Sequence, residues 1–122
     1  MSKPVLLIED DPDIRALVEM TLRMDGIQVT SFGCGAEGLK ALAETDFSLV
    51  ILDVMMPDMS GYEVLQRMTG LPEDKRPPVA LFTARPEDAT AGDIRNHGVV
   101  HILPKPFEPD RMSRTVQALM RK

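Results

Sequence analysis

The sequence predicts an α/β fold: a doubly wound, five-stranded parallel sheet in the order 2-1-3-4-5, with five helices. Three observations carry that prediction. Runs that are apolar at successive positions, such as Leu49-Val50-Ile51-Leu52, suit strands buried on both faces, because a strand covered on one side would alternate. Those runs alternate along the chain with segments of helical spacing, which requires parallel strands joined by helical crossovers. Right-handed crossovers then leave few alternatives to that strand order.

The elements follow in order. Val5-Leu6-Leu7-Ile8 is the first strand and runs into Glu9-Asp10. Asp11-Pro12-Asp13 is a turn whose proline suits a helix start, and the helix continues to Met24 with Ile14, Leu17, Val18, Thr21 and Leu22 spaced for one face. Asp25-Gly26 ends it. Ile27 to Phe32 alternates in part, as an edge strand does. Gly33-Cys34-Gly35 turns into a helix to Glu44, with Ala36, Leu39, Ala41, Leu42 and Ala43 available for packing. Leu49 to Asp53 is the central strand. Gly61 to Met68 is a short helix with Ser60 as its N-cap, and Gly70 to Pro78 is a polar surface loop. Val79-Ala80-Leu81-Phe82 is a strand that runs into Thr83. A fourth helix is expected from Arg85-Pro86-Glu87-Asp88 to His97-Gly98; Gly92 weakens it and Ile94 is its one large apolar anchor. Val99 to Leu103 is the fifth strand, followed by Pro104-Lys105. Pro109 opens a last helix with Met112, Val116, Leu119 and Met120 toward the core.

With 122 residues the chain is expected to form one domain, 1–122, large enough for a single core. A 27% share of charged residues and 43% of apolar ones is a globular balance. No apolar run approaches bilayer-spanning length, and Met1-Ser2-Lys3-Pro4 leads into the first strand without a signal-peptide pattern, so a cytoplasmic protein without membrane contact is expected. Cys34 is the only cysteine, which excludes an internal disulfide and disfavours a thiolate metal cage. The net charge of -5 and 4% aromatic content supply neither a basic footprint nor a stacking platform, so no direct binding of nucleic acid is expected.

The strand ends carry the chemistry. In an open parallel sheet they share one edge, where ligands bind. Glu9, Asp10 and Asp53 would meet there with Thr83 and Lys105. Partly desolvated like charges need a shared proton or a cation. A hard divalent ion such as Mg²⁺ suits a site of one or two carboxylates and a phosphoryl group. Lys105 adds a fixed positive charge and Thr83 a hydroxyl, a set that matches phosphoryl transfer, and a carboxylate can itself be the acceptor.

Four stretches carry a family resemblance that covers the whole chain: Leu7-Ile8-Glu9-Asp10-Asp11-Pro12, Leu52 to Gly61, Leu81-Phe82-Thr83-Ala84 and Leu103-Pro104-Lys105-Pro106-Phe107. In this order and spacing the chain resembles a response-regulator receiver domain of two-component signalling. The resemblance implies that Asp53 is the phosphoacceptor, Asp10 a direct Mg²⁺ ligand, and Glu9 a second acid acting through a bound water. It implies further that Met55 gives its backbone carbonyl to the metal, Thr83 hydrogen-bonds the phosphoryl group and Lys105 pairs with it. A cis bond between Lys105 and Pro106 is also implied, and the proline makes it accessible. The implied partner is a sensor histidine kinase or a histidine phosphotransfer protein. The output is a downstream protein reached through the fourth helix, fifth strand and fifth helix, in a stand-alone receiver or one excised from a larger protein.

This chain departs from the family pattern in two places. Three residues before Lys105 the family usually has Tyr or Phe, and here Ile102 stands, which excludes the usual aromatic rotamer switch. Val100-His101 replaces the acidic pair that often precedes that ring, so the charged dimer face of one transcription-factor branch is not expected, and a more apolar docking face is. Apolar Met55 cannot orient a hydrolytic water, which predicts a long-lived phosphorylated state; Arg85 is the other residue flanking the phosphoryl group in the family.

Plainer readings apply elsewhere. Asp11 reads as a turn or cap residue, Asp58 as a loop acid, His97 and His101 as surface residues, Cys34 as a small loop residue, and Met20 and Met24 as surface methionines. Other functions fit less well. A phosphohydrolase with an aspartyl nucleophile would want an acid two residues after Asp53, where Met55 stands. A flavodoxin-like cofactor binder would want a phosphate cradle where Glu9-Asp10-Asp11 repel one. The remaining alternative is a phosphorylation-independent scaffold or interaction domain of the same fold.

Overall fold

The structure is a computed structural model and describes residues 3–85 and 98–120. Its strands are β1 (Val5–Ile8), β2 (Val29–Phe32), β3 (Leu49–Asp53), β4 (Val79–Thr83) and β5 (Val99–Pro104). They form one parallel sheet in the order β2-β1-β3-β4-β5, as the sequence predicts. Four α-helices lie among the described residues: α1 (Pro12–Met24), α2 (Gly35–Glu44), α3 (Gly61–Met68) and α4 (Pro109–Met120), with a short 3₁₀ turn at Glu73–Lys75. The helix expected between Arg85 and His97, with Gly92 and Ile94, lies outside the described residues, so α4 is the helix that the sequence places fifth.

Period-two geometry divides the apolar strands between two cores. Val5, Leu7, Leu49, Ile51, Ala80 and Phe82 face one side, where Val18 and Leu22 of α1 and Met112, Val116 and Leu119 of α4 cover them. Leu6, Ile8, Val50, Leu52, Val79 and Leu81 face the other, under Leu42 of α2 and Val64, Leu65 and Met68 of α3. Burying one such side chain stabilises by roughly 1.5–3 kcal/mol, so continuous apolarity of β1, β3 and β4 is what two-sided covering demands.

The helix ends match their local sequences. Asp11 caps α1, its Oδ1 accepting from the N–H groups of Asp13 at 2.9 Å and Ile14 at 3.3 Å, with Pro12 beginning the helix. Ser60 caps α3 by accepting from Glu63 N at 3.2 Å.

Three expectations need correction. Leu17 is not on the packing face: it is 54% exposed and lines up with exposed Met20 and Met24 at positions i, i+3 and i+7, because the buried stripe of α1 centres on Val18 and Leu22. In α2 the buried positions are Gly35, Gly38 and Leu42, whereas Ala36 and Ala43 face solvent, since α2 packs closely enough to seat Gly38 against Ile8 of β1 and Gly35 against Val64 of α3 and Met59. The edge strand begins at Val29, not Ile27, which is buried in the preceding turn. Beyond these, a feature the sequence left unaddressed is the register of β4 with β5, which shifts between Val79 and Ala80, pairing them with Val99 and His101. Val100 falls in that irregularity and is 48% exposed, while Ile102 is half-buried against the second core.

Candidate functional site

The sheet brings all five predicted charged and hydroxyl side chains to its carboxyl edge. Glu9 follows β1, Asp53 ends β3, Thr83 ends β4 and Lys105 follows β5. Glu9 (0% exposed), Asp53 (3%) and Thr83 (5%) are buried; Asp10 is the most open of the acids. One carboxylate oxygen from each of Glu9, Asp10 and Asp53 lies within 4.8 Å of the others. Lys105 Nζ stands 2.6 Å from Glu9 Oε1 and 3.2 Å from Asp53 Oδ1. Its position is supported from below by the Phe82 ring, 4.8 Å from Nζ to centroid, itself packed edge-on to Phe107 at 5.9 Å. The Lys105–Pro106 bond is cis, as the resemblance implies.

Thr83 is tied to the same wall. Its carbonyl accepts from Lys105 N at 2.8 Å, and its Oγ1 accepts from Arg85 N at 3.0 Å. Asp53 pairs with Phe82 in the sheet register, so Thr83 is one residue further along the adjacent strand, level with the rim.

Burial is the largest cause that pushes the Asp53 carboxyl up, to about 7; shared hydrogen bonding with Asp10 and Glu9 and the charge of Glu9 add to it, and Lys105 opposes them. Burial also works against the Lys105 ammonium, yet Glu9 and Asp53 hold it above its ordinary value. The two groups thus titrate against each other's charge within one electrostatic cluster.

The donor set suits a hard cation. Three carboxylates converge, and Glu9 Oε1, although near Lys105, is fully buried without a directional hydrogen bond among the described residues. Such an oxygen has lone-pair capacity that a bound ion or its water shell satisfies. The Lys105 ammonium by itself does not balance three acids.

The loop after β3 is fixed by contacts of its own. Met55 donates its backbone N–H to Asp53 Oδ1 at 3.1 Å, and its side chain is 76% exposed. Gly61 permits close packing behind the acid: a Cβ there would stand 2.6 Å from the Asp53 carbonyl oxygen. Asp58, expected as a simple loop acid, accepts from Gly35 N at 3.2 Å through Oδ2 and so joins this loop to the start of α2. Nothing in the local sequence signals that contact, because its partner lies 23 positions away. The sequence does not single out Arg15 either; its Nη1 donates to the Glu9 carbonyl at 2.9 Å. The remaining singled-out residues stay apart from the site. Cys34 is half-buried ahead of α2, with Sγ 3.2 Å from Glu37 Oε1, and His101 is exposed on β5; His97 lies outside the described residues.

Comparison with known proteins agrees with this geometry. The response regulator receiver domain family matches residues 5–117. The transcriptional regulatory protein YkoG of Bacillus subtilis is 39% identical over 121 residues, covering 97% of this chain and 51% of the relative. GltR of Pseudomonas aeruginosa, also a transcriptional regulatory protein, is 34% identical over 98% of this chain and 50% of its own length. The chain therefore spans about half the length of these curated relatives. Among solved structures, chemotaxis protein CheY4 of Vibrio cholerae superposes with a TM-score of 0.84 at 30% identity, over 98% of this chain and 99% of that one. TrrA of Thermotoga maritima, solved with Mg²⁺ and BeF, gives 0.83 at 28% identity, over 96% and 98%. With the family match spanning the whole sheet, the chain belongs to the response regulator receiver domains of two-component signal transduction.

Proposed function

We propose that Asp53 accepts a phosphoryl group from a phosphohistidine on a sensor histidine kinase or histidine phosphotransfer protein, in a Mg²⁺-dependent step that the domain itself catalyses. The observation that carries this reading is Asp53 itself: a 3% exposed carboxylate facing Glu9, Asp10 and Lys105 at the mouth of the sheet. In the transfer, an Asp53 oxygen attacks phosphorus, the P–N bond breaks, and the imidazole leaves with the electron pair. Glu9, Asp10 and Asp53, with the Met55 carbonyl, would hold Mg²⁺, Glu9 through a water; the ion would neutralise charge on the transferring oxygens.

The chain's own groups do the rest. Lys105 sits 3.2 Å from Asp53 and is placed to pair with a phosphoryl oxygen. The Thr83 hydroxyl, one residue beyond the Asp53 pairing partner, supplies a donor to a second oxygen. A phosphoryl group on Asp53 adds charge and acceptor oxygens that draw Thr83 and Lys105 inward, biasing the elements attached to them. Since Lys105 follows β5 directly, the face built around β5 and α4 is the proposed output surface toward a protein target. Exposed Val100 and half-buried Ile102 fit the expectation of an apolar docking face there. The domain occupies residues 1–122, acts in the cytoplasm, and turns over its own phosphate rather than an outside substrate.

Intact-mass measurement with a small-molecule phosphodonor and Mg²⁺, followed by a histidine-phosphorylated donor protein, tests this reading. One added phosphoryl group that is absent in Asp53→Asn and in EDTA is expected. No adduct with either donor would contradict it and favour a scaffold that works unphosphorylated.

A further inference from the structure

We propose that Arg15 is a positioning residue for the Glu9-Asp10 turn, holding the metal-binding acids from behind without touching the ion; this rests on the reading that these acids hold a divalent cation. Glu9 is fully buried, so both of its backbone polar groups need partners. Its N–H continues the sheet ladder to the Phe32 carbonyl at 3.1 Å. Its carbonyl instead accepts from Arg15 Nη1 at 2.9 Å.

Two more bonds close the arrangement into a ring. Arg15 N donates to the Asp11 carbonyl at 2.9 Å, and Asp11 N donates to Glu9 Oε2 at 3.1 Å. Backbone and side chain of Glu9 are therefore both referred to the first turn of α1. The carbonyl that Arg15 grips belongs to the peptide plane between Glu9 and Asp10, so the grip limits rotation of the unit from which Asp10 departs. A planar, permanently charged guanidinium is suited to that task.

Gly33, just past β2, supplies a second and independent view of the same contact. A Cβ built on it would stand 2.9 Å from Arg15 Nη1 and 3.7 Å from Cζ. A larger residue there would require the flexible end of Arg15 to shift, straining its bond to the Glu9 carbonyl while leaving the positive charge nearby. The absence of a side chain at Gly33 thus gives the guanidinium its room.

The sign of the effect separates positioning from simple electrostatics. Removing a positive charge near three acids would by itself tighten cation binding. Loss of a fixed ligand geometry weakens it, typically 10–100-fold for outer-sphere partners.

Calorimetric titration with Mg²⁺ alone, below the unfolding transition of every variant, reads this directly. Arg15→Gln is expected to weaken Mg²⁺ binding about tenfold, and Arg15→Lys to recover part of it. Gly33→Ala is expected to weaken it in the same direction by about threefold, as the milder displacement of the same group. Val116→Ala, a cavity in the core under α4, is expected to lower thermal stability with unchanged Mg²⁺ affinity. Wild-type affinity in both Arg15→Gln and Gly33→Ala would overturn the proposal, and Gly33→Ala decides it if Arg15→Gln does not fold. Equal weakening in Val116→Ala would also overturn it, since general loosening would then suffice. No saturable binding by the wild type would overturn the cation reading itself and this inference with it.

Discussion

Ile8 and Glu9 are adjacent, and both are fully buried, yet they belong to different regions of the molecule. The sheet interior that ends at Ile8 is apolar on both faces and each of its side chains gains from exclusion of water. The carboxyl edge that begins at Glu9 excludes water from Asp53 and Thr83 just as closely, but there the buried groups are charged or polar. Burial that stabilises the first region raises the electrostatic free energy of the second, as the upward shift of Asp53 to about 7 records. The proposed function lies where burial and chemistry conflict.

That contrast can be broken at either end. The largest expected effect lies in the interior: Ile51→Ala should lose about 2–5 kcal/mol of stability, measured by denaturant unfolding. Two residues on in the same strand, Asp53→Asn should instead raise metal-free stability at pH 8 by about 2 kcal/mol. The sign follows from linkage. The native Asp53 carboxyl titrates near 7 rather than at 3.8, so the folded state binds that proton more tightly and the wild type loses stability as pH rises through this window. The advantage of the Asp53→Asn variant should therefore shrink as pH falls from 8 toward 4. A smaller change is expected from Thr83→Ala, which should slow phosphoryl incorporation by about tenfold in a rate assay at saturating Mg²⁺ while leaving Mg²⁺ affinity unaltered. Met55→Asn should give the smallest effect, speeding loss of the phosphoryl group by about fivefold, because an amide can orient water where the exposed thioether cannot.

The sequence reveals the two regions to different depths. Strands buried on both faces leave uninterrupted apolar runs, so β1, β3, β4 and the sheet order are legible, and each run leads directly to its edge residue. Glu9, Asp10, Asp53, Thr83 and Lys105 are readable for that reason, and their convergence follows from parallel topology alone. What escapes depends on contacts that no short pattern encodes. Arg15 acts on a carbonyl six residues back, and Asp58 on an N–H 23 positions back; neither an arginine in a helix nor an aspartate in a loop announces such a partner. Helical spacing misplaces Leu17 because it identifies an apolar arc without saying where the neighbouring sheet cuts it. Val100 is exposed by a register shift between β4 and β5, a property of the strand pair rather than of either sequence.

On the proposed reading, the acidic edge is held under charge repulsion that a cation relieves. The decisive experiment is thermal unfolding of the wild type and Asp53→Asn, with and without Mg²⁺, at pH 5 and pH 8. Since Mg²⁺ must compete with the Asp53 proton below about 7, it should stabilise the wild type more at pH 8 than at pH 5. In Asp53→Asn most of that pH-dependent gain should vanish. No Mg²⁺ stabilisation of the wild type at pH 8, or an equal gain in both proteins at both pH values, would contradict the claim.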